Sequence, residues 1–188
     1  MKRIVLTFGL ISGAIMSAMM MATVPFIDRI IETDYGAVIG YTSMVLGFLL
    51  IYFGVRQYRD NVAGGRITFG RAFRVGALIA LVGSLCYVAT WEAIYFGGLA
   101  PNFTEKYAAR AIEKARANGA TESELARRTA EMQKFAAWYR NPAFNAAMTL
   151  LEPLPVALVI SLVTAGVVSR RRREDAPARS PTRASVLS

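Results

Sequence analysis

The chain contains no histidine and only one cysteine among its 188 residues. Without histidine, both the commonest general base and the commonest metal ligand are missing, which disfavours zinc, haem and Ser-His or Cys-His catalytic sites. The single cysteine, Cys86, lies within an apolar run, so neither an intramolecular disulfide nor a thiolate metal cluster can form. We therefore predict no metal, no cofactor and no enzymatic activity.

Acidic residues are scarce as well, with 13 Asp and Glu against 22 Lys and Arg and a net charge of +9. This excess would suggest nucleic acid in a soluble protein, but here the arginines flank apolar runs, as they do beside membrane helices. The chain is 54% hydrophobic and has a mean hydropathy of +0.36, which is too apolar for an ordinary soluble domain. We predict an integral membrane protein whose partner is the lipid bilayer rather than nucleic acid.

Four apolar segments each reach the length of about 20 residues that a membrane-spanning helix needs. They cover residues 4–26, 36–55, 72–97 and 142–169. The first follows a basic start and could be a signal peptide, but its length and the three later segments favour a permanent span. The predicted fold class is an all-α membrane protein, a four-transmembrane-helix bundle.

Small residues recur every four or seven positions in these segments, a spacing that lets helix backbones approach closely. The repeats are Gly9-Gly13-Ser17, Gly40-Gly47-Gly54, Gly76-Ala80-Ser84 and Ala157-Ser161-Ala165-Ser169. They predict close packing within the bundle or with a second copy of the chain.

Residues 103–140 are charged and rich in alanine, unlike the apolar segments. Thr104 is placed to cap a first helix that stops at Asn118-Gly119, and Thr121 with Glu124 fits a capping box that opens a second helix. We predict a helical hairpin outside the membrane, whose apolar stripes pack on one another or form a groove for a partner protein. Residues 174–188 have no apolar period and are predicted to be a disordered tail.

Basic residues fall on one side of a four-span topology. They lie at Lys2-Arg3, around Arg56 to Arg74, and at Arg170 to Arg173, whereas the acidic connection of residues 28–34 falls on the other side. The positive-inside rule then predicts that both termini are cytoplasmic and that the hairpin is external.

One carboxylate, Glu152, lies inside the last span and is followed by Pro153 and Pro155. Asn141 and Pro142 suit the N-cap and first turn of this helix. Neither later proline can donate a helical hydrogen bond, so both are predicted to kink the helix and to free carbonyl groups beside the acid. Because a charged carboxylate at this depth costs about 2.5 to 3.5 kcal/mol, Glu152 needs a partner or polar surroundings.

The candidate intramembrane polar site consists of Glu152, Tyr87, Thr90 and Glu92. Tyr87 and Thr90 lie on the third span at a depth similar to that of Glu152, and each is a possible hydrogen-bond partner. Glu92 is expected near the outer headgroups. Glu152 either fixes how the helices meet at the kink or forms an ion or proton site in a small cavity.

Two stretches carry a family resemblance. They are YRDNVAGGRITFGRAFRVGALIALVGSLCYVATW from Tyr58 and LEPLPVALVISLVTAGVVSRR from Leu151, with Asn141-Pro142 before the second. The chain resembles the bacterial membrane family known as domain of unknown function 4199 over about residues 2–173. The resemblance implies a four-span protein of a bacterial plasma membrane and supplies no activity.

Two functions are compatible with the sequence. The first is a non-enzymatic structural or interaction protein, with a partner or a second copy bound at the hairpin or the small-residue faces. The alternative is a small transporter or proton-coupled permeation protein, with Glu152, Tyr87 and Glu92 along a polar path. The small number of polar residues in the spans and the lack of an inverted repeat favour the first.

Overall fold

The computed structural model describes residues 1–33 and 35–174, with side chains as far as Arg170. Within these ranges the chain is helical and contains no strand. The helices are α1 (Lys2–Thr23), α2 (Ile27–Thr33), α3 (Gly36–Asn61), α4 (Phe69–Phe96), α5 (Phe103–Ala117), α6 (Glu122–Tyr139), α7 (Pro142–Leu151) and α8 (Pro153–Glu174). The all-helical fold is as predicted. The predicted tail lies outside the described residues except for Glu174, which ends α8.

Four stretches are long and apolar enough to cross a membrane: Lys2–Thr33, Gly36–Asn61, Phe69–Phe96 and Pro142–Arg170. They correspond to the four apolar segments of the sequence. Their outward faces expose large apolar side chains, among them Leu10, Phe53 and Leu85, each more than half exposed. Such continuous apolar surface suits hydrocarbon rather than water.

The helices α3 and α4 form the centre of the bundle, because each contacts α1 and α8 as well as the other. At the far end of the last span the arrangement changes, since α7 packs mainly on α4 and α6. We call the level of the bundle occupied by α8 the α8 half and the level occupied by α7 the α7 half.

The α8 half holds most of the close-packed core. Five of its fully buried side chains come from α3 and α4: Phe48, Ile51, Val55, Val75 and Ile79. Helix α8 contributes small residues, with Ala165 fully buried and Ser161 beside Gly76. Large side chains on two helices therefore fill the space that small side chains on the third leave open.

The small-residue repeats mark close approaches between helices of the same chain. A Cβ atom added at Gly9 would lie 2.6 Å from the Cβ of Val82, and one added at Gly13 would lie 2.5 Å from the Cβ of Cys86. Both glycines thus allow α1 to meet α4. Gly40 differs, because a Cβ there would have no neighbouring atom within 4 Å.

The first apolar stretch is broken rather than continuous. Helix α1 ends at Thr23, a 3-10 turn covers Val24–Phe26, and α2 follows. Pro25 lies in the turn and cannot donate the bond that would continue α1. The charged segment predicted as a connection from residue 28 is therefore helical as far as Thr33, which corrects the sequence analysis; Asp34 lies outside the described residues.

Two predicted helix caps are confirmed. The hydroxyl group of Thr121 accepts a hydrogen bond from the backbone N–H of Glu124 at 3.3 Å, at the start of α6. The side chain of Asn141 accepts from the backbone N–H groups of Ala143 and Phe144 at 2.9 and 3.3 Å, at the start of α7. Short polar side chains therefore fix where both helices begin.

The predicted cap at Thr104 is wrong. Helix α5 is preceded by Asn102, which has a left-handed backbone with φ of 57° and makes no capping hydrogen bond through its side chain. The hydroxyl group of Thr104 is buried and lies 2.9 Å from that of Tyr95 on α4. A contact between helices has replaced the local cap.

Aromatic rings join α5 and α6 to the end of the bundle. Trp91 of α4 meets Phe103 of α5 with ring centroids 4.9 Å apart, and Tyr95 of α4 meets Tyr139 of α6 at 5.3 Å. Phe144 of α7 contacts two further rings of α6. These edge-to-face contacts seat the polar helices on α4 and α7.

Candidate functional site

Glu152 lies between α7 and α8, at the interruption of the last span. It keeps helical dihedrals, with φ of −62° and ψ of −51°, and Pro153 after it is buried. Since Pro153 and Pro155 have no N–H group, the carbonyl groups of Thr149 and Leu151 lose their helical donors. The break in the last helix that the two prolines predict therefore lies at Glu152.

Tyr87 supplies a hydrogen bond to Glu152. Its hydroxyl group donates to Oε2 of the carboxylate at 3.1 Å, across 65 residues of sequence. The tyrosine is buried on α4, whereas the glutamate is exposed at the edge of the helix. One oxygen of the carboxylate is thus held by the bundle while the group as a whole stays open to its surroundings.

Those surroundings are a cavity of about 450 Å³ in the α7 half. Its wall combines α1 to α4 with α7 and is completed by rings from α5 and α6. The lining residues are Met19, Met20, Thr23, Ile27, Ile30, Ile31, Gly36, Ala37, Ile39, Gly40, Tyr41, Ser43, Met44, Tyr87, Trp91, Phe103, Tyr107, Tyr139, Thr149 and Glu152. Glu152 therefore borders a cavity rather than a sealed helix interface.

The cavity exists because the last span changes neighbours at its interruption. Helix α8 packs on both α3 and α4, whereas α7 packs mainly on α4 and α6. The α3 residues that face the resulting space include Gly36, Ala37 and Gly40 beside the larger Ile39 and Tyr41. At Gly40 the space that a side chain would fill is left open.

Thr90 belongs to a different contact. Its Oγ1 lies 2.7 Å from Oγ of Ser17 and 2.9 Å from the carbonyl oxygen of Cys86, so it links α4 to α1. Of the two predicted hydroxyl partners, the structure therefore pairs Tyr87 with Glu152. Glu92 does not line the cavity, and its buried Oε1 has no hydrogen-bond partner among the described residues.

A chain of polar side chains continues from the cavity towards α6. Oγ1 of Thr149 donates to Oδ1 of Asn145 at 3.3 Å, and Nδ2 of Asn145 donates to the carbonyl oxygen of Tyr139 at 3.1 Å. Nε1 of Trp91 donates to the hydroxyl oxygen of Tyr139 at 3.0 Å. Burial raises the pKa of the Tyr139 hydroxyl, so the group stays protonated at neutral pH.

Sequence reasoning missed these residues, although a signal was present. Asn145, Thr149 and Glu152 are spaced i, i+4 and i+7, which places three polar residues on one face of an otherwise apolar helix. Ile27, Ile30 and Ile31 show the same kind of spacing and would have indicated that α2 is a helix with an apolar face.

Two ion pairs connect α5 to its neighbours at the α7 end of the bundle. Lys106 of α5 and Asp28 of α2 are 2.6 Å apart, and Arg140 and Glu105 of α5 are 3.1 Å apart. The backbone N–H of Glu105, together with the Arg140 guanidinium, holds the pKa of that carboxyl below its usual range. These pairs tie α5 to α2 on one side and to the end of α6 on the other.

No group of three or more His, Cys, Asp or Glu side chains that could hold a metal ion occurs among the described residues. At the candidate site one carboxylate meets one phenol, a set that can bind a cation, accept hydrogen bonds or exchange a proton.

Comparison with known proteins gives one match. A family model described as "Protein of unknown function (DUF4199)" matches residues 7–170. No curated protein and no solved structure matches the chain.

Proposed function

The chain belongs to the DUF4199 family of proteins of unknown function, and we propose that it is a non-enzymatic membrane protein that binds a small amphipathic molecule in the α7 half of its bundle. The observation that carries the proposal is the position of Glu152, which shares a cavity of about 450 Å³ with an otherwise mostly apolar lining. A concave apolar site with a few convergent polar groups is the usual form of a small-molecule site.

The proposal places the protein in a bacterial plasma membrane with four spans. Both termini are cytoplasmic, α5 and α6 form an external hairpin, and the cavity lies in the outer half of the membrane. The distribution of arginine supports this orientation, because Arg56, Arg59, Arg71 and Arg74 all lie at the α8 end of α3 and α4.

Binding explains features that a purely structural role leaves unexplained. A carboxylate that only fixed helix packing would be expected inside a helix interface, with both oxygens satisfied. Glu152 is instead exposed and bonded through one oxygen to Tyr87. The absence of histidine, which removes the commonest general base, supports a role without catalysis.

The second candidate is proton-coupled permeation through the bundle. It is favoured by the location of Glu152 at a helix interruption, where carbonyl groups lose their donors. The buried side chains of Phe48, Ile51 and Ile79 lie below the cavity and fill the α8 half. Permeation therefore requires α8 to move away from α3 and α4, whereas binding requires no such movement.

Fluorescence of Trp91 tests for binding, because this residue lines the cavity and the other tryptophan, Trp138, is 62% exposed on α6. A Trp138→Phe variant in phosphatidylcholine nanodiscs is titrated with 11-bromoundecanol, whose bromine quenches nearby indoles. We expect a saturable quenching component. A Trp91→Phe variant, which retains Trp138, should show only the linear quenching that partition into lipid produces.

A pair of glycine variants locates the bound molecule. Gly40→Leu in the Trp138→Phe background should abolish the saturable component, because Gly40 lines the cavity and has room for a side chain. Gly166→Leu is the matched control, since Gly166 also has no atom within 4 Å of a Cβ and does not line the cavity. Quenching of Trp91 that never saturates, or that survives Gly40→Leu unchanged, contradicts the proposal.

A further inference from the structure

The chemistry of the cavity wall specifies its occupant more narrowly. We infer that the site selects a lipophilic organic cation, a molecule with one ammonium-type head and an alkyl or aryl body. This inference rests on the proposed function and adds the chemical class of the ligand.

The charge of the wall is the first reason. Among the described residues that line the cavity, Glu152 is the only acidic side chain, and none is a lysine or an arginine. Its hydrogen-bond partner, Tyr87, is a neutral phenol that supplies no countercharge. Asp28 of α2 is paired with Lys106 of α5, and neither residue lines the cavity. A ligand that carries one positive charge would supply the missing countercharge.

Aromatic rings are the second reason. Tyr87 and Trp91 from α4, Phe103 and Tyr107 from α5, and Tyr139 from α6 all line the same cavity as the carboxylate. Ring faces attract cations through their quadrupole, tryptophan most strongly, and quaternary ammonium groups are commonly bound by several rings together. A carboxylate beside such rings is the complement of a bulky, weakly hydrated cation.

The remainder of the wall suits an apolar body. Met19, Met20 and Met44 adapt to irregular shapes, and Ile30 and Ile39 add branched aliphatic surface. A proton or a metal ion alone would leave this apolar wall without a role. An anionic amphiphile would place its head against the carboxylate with no cation in the lining to offset the repulsion.

A matched series of amphiphiles tests the charge preference. Decyltrimethylammonium, decanol and decyl sulfate share one tail and differ in head charge. Each is used to reverse the saturable quenching of Trp91 by 11-bromoundecanol in the Trp138→Phe protein, at concentrations counted per phosphatidylcholine molecule. We expect the cation to compete at about a tenfold lower concentration than the alcohol, and the sulfate to compete least.

Substitution of Glu152 tests whether the preference for the cation comes from the charge of the carboxylate or from the shape of the cavity. Glu152→Gln should reduce the advantage of the cation over the alcohol to less than about threefold. Glu152→Asp keeps the charge and should keep most of the advantage, which provides a folded comparison if the glutamine variant does not accumulate.

The outcomes distinguish the two proposals. Absence of saturable quenching by 11-bromoundecanol overturns the binding function itself, and this inference with it. Saturable quenching that all three heads reverse equally leaves the binding function standing and overturns the cation preference. An advantage for the cation that persists in folded Glu152→Gln protein also overturns it, because the selectivity would then not come from the carboxylate.

Discussion

The two halves of the bundle are built from the same four long apolar stretches but are packed differently. In the α8 half, small residues of α8 meet large side chains of α3 and α4, and little space is left. In the α7 half, α7 stays with α4 and α6, and a cavity of about 450 Å³ lies between it and the first turns of α3. The change occurs at Glu152-Pro153. The interrupted helical turn at Glu152-Pro153 thus separates a closely packed region from a region with room for another molecule.

The largest expected effect comes from adding a side chain at a glycine in each half. Gly9→Leu should be severely destabilising, because a Cβ there would already lie 2.6 Å from Val82 and 3.1 Å from the Ile79 carbonyl oxygen. Overpacking of this kind costs about 1 to 3 kcal/mol or more. Gly40→Leu, in the cavity wall, should change the melting temperature little. The measurement is the temperature at which half of the detergent-purified protein aggregates. Equal losses at the two glycines would mean that the cavity is absent from the protein in solution.

A smaller effect is expected from removing a hydroxyl group in each half. Tyr87→Phe should destabilise the protein by about 1 to 3 kcal/mol, since Glu152 loses the hydroxyl group that donates to it. Ser161→Ala removes a buried hydroxyl group that has no side-chain hydrogen-bond partner among the described residues, so its effect should stay within about 0.5 kcal/mol. Chemical denaturation in a fixed micelle gives both values. If Ser161→Ala lowers the free energy of unfolding as much as Tyr87→Phe does, the hydroxyl group of Tyr87 does not have the stabilising role given to it here.

The smallest effect concerns pH at the α7 end. The pKa of Glu105 is lowered by its own backbone N–H and by Arg140. A carboxyl with a depressed pKa stabilises the fold above the ordinary carboxyl pKa of about 4.3, and that contribution is lost as the pH falls through the lower folded value. Because both side chains are exposed, the contribution is at most about 1 kcal/mol.

Hydrogen exchange of the α5 amides can measure this contribution. Protection should decline below about pH 4.3, and Glu105→Gln should remove that part of the decline while leaving exchange in α8 unchanged. Identical acid profiles in the wild type and the variant would show that the pair contributes nothing.

Local sequence signals predicted much of this architecture. Apolar length identified the four stretches that are long enough to cross a membrane, and the capping residues Thr121 and Asn141 begin α6 and α7 as expected. Where a local signal competed with a tertiary contact, prediction failed. Thr104 bonds to Tyr95 instead of capping its helix, and α2 was taken for a connection because its charges concealed three isoleucines on one face.

The candidate site was predictable only in part. Depth and chemistry indicated Tyr87 as a partner for Glu152, and the prolines indicated the interruption beside it. Trp91 and Tyr139 meet in the cavity wall because the last residue of α6 returns to α4, across 48 residues of sequence. Nothing in the local pattern of either residue specifies that distant partner.

The hydrogen bond from Trp91 to Tyr139 places one indole ring in two structural roles at once. The ring is part of the wall that faces the cavity, and it also supports the last residue of α6. A displacement of the indole by whatever enters the cavity is therefore applied directly to the base of the polar helices. Helix α6 is 18 residues long and ends at Tyr139, so a ligand that moved Trp91 would act on the end of that helix.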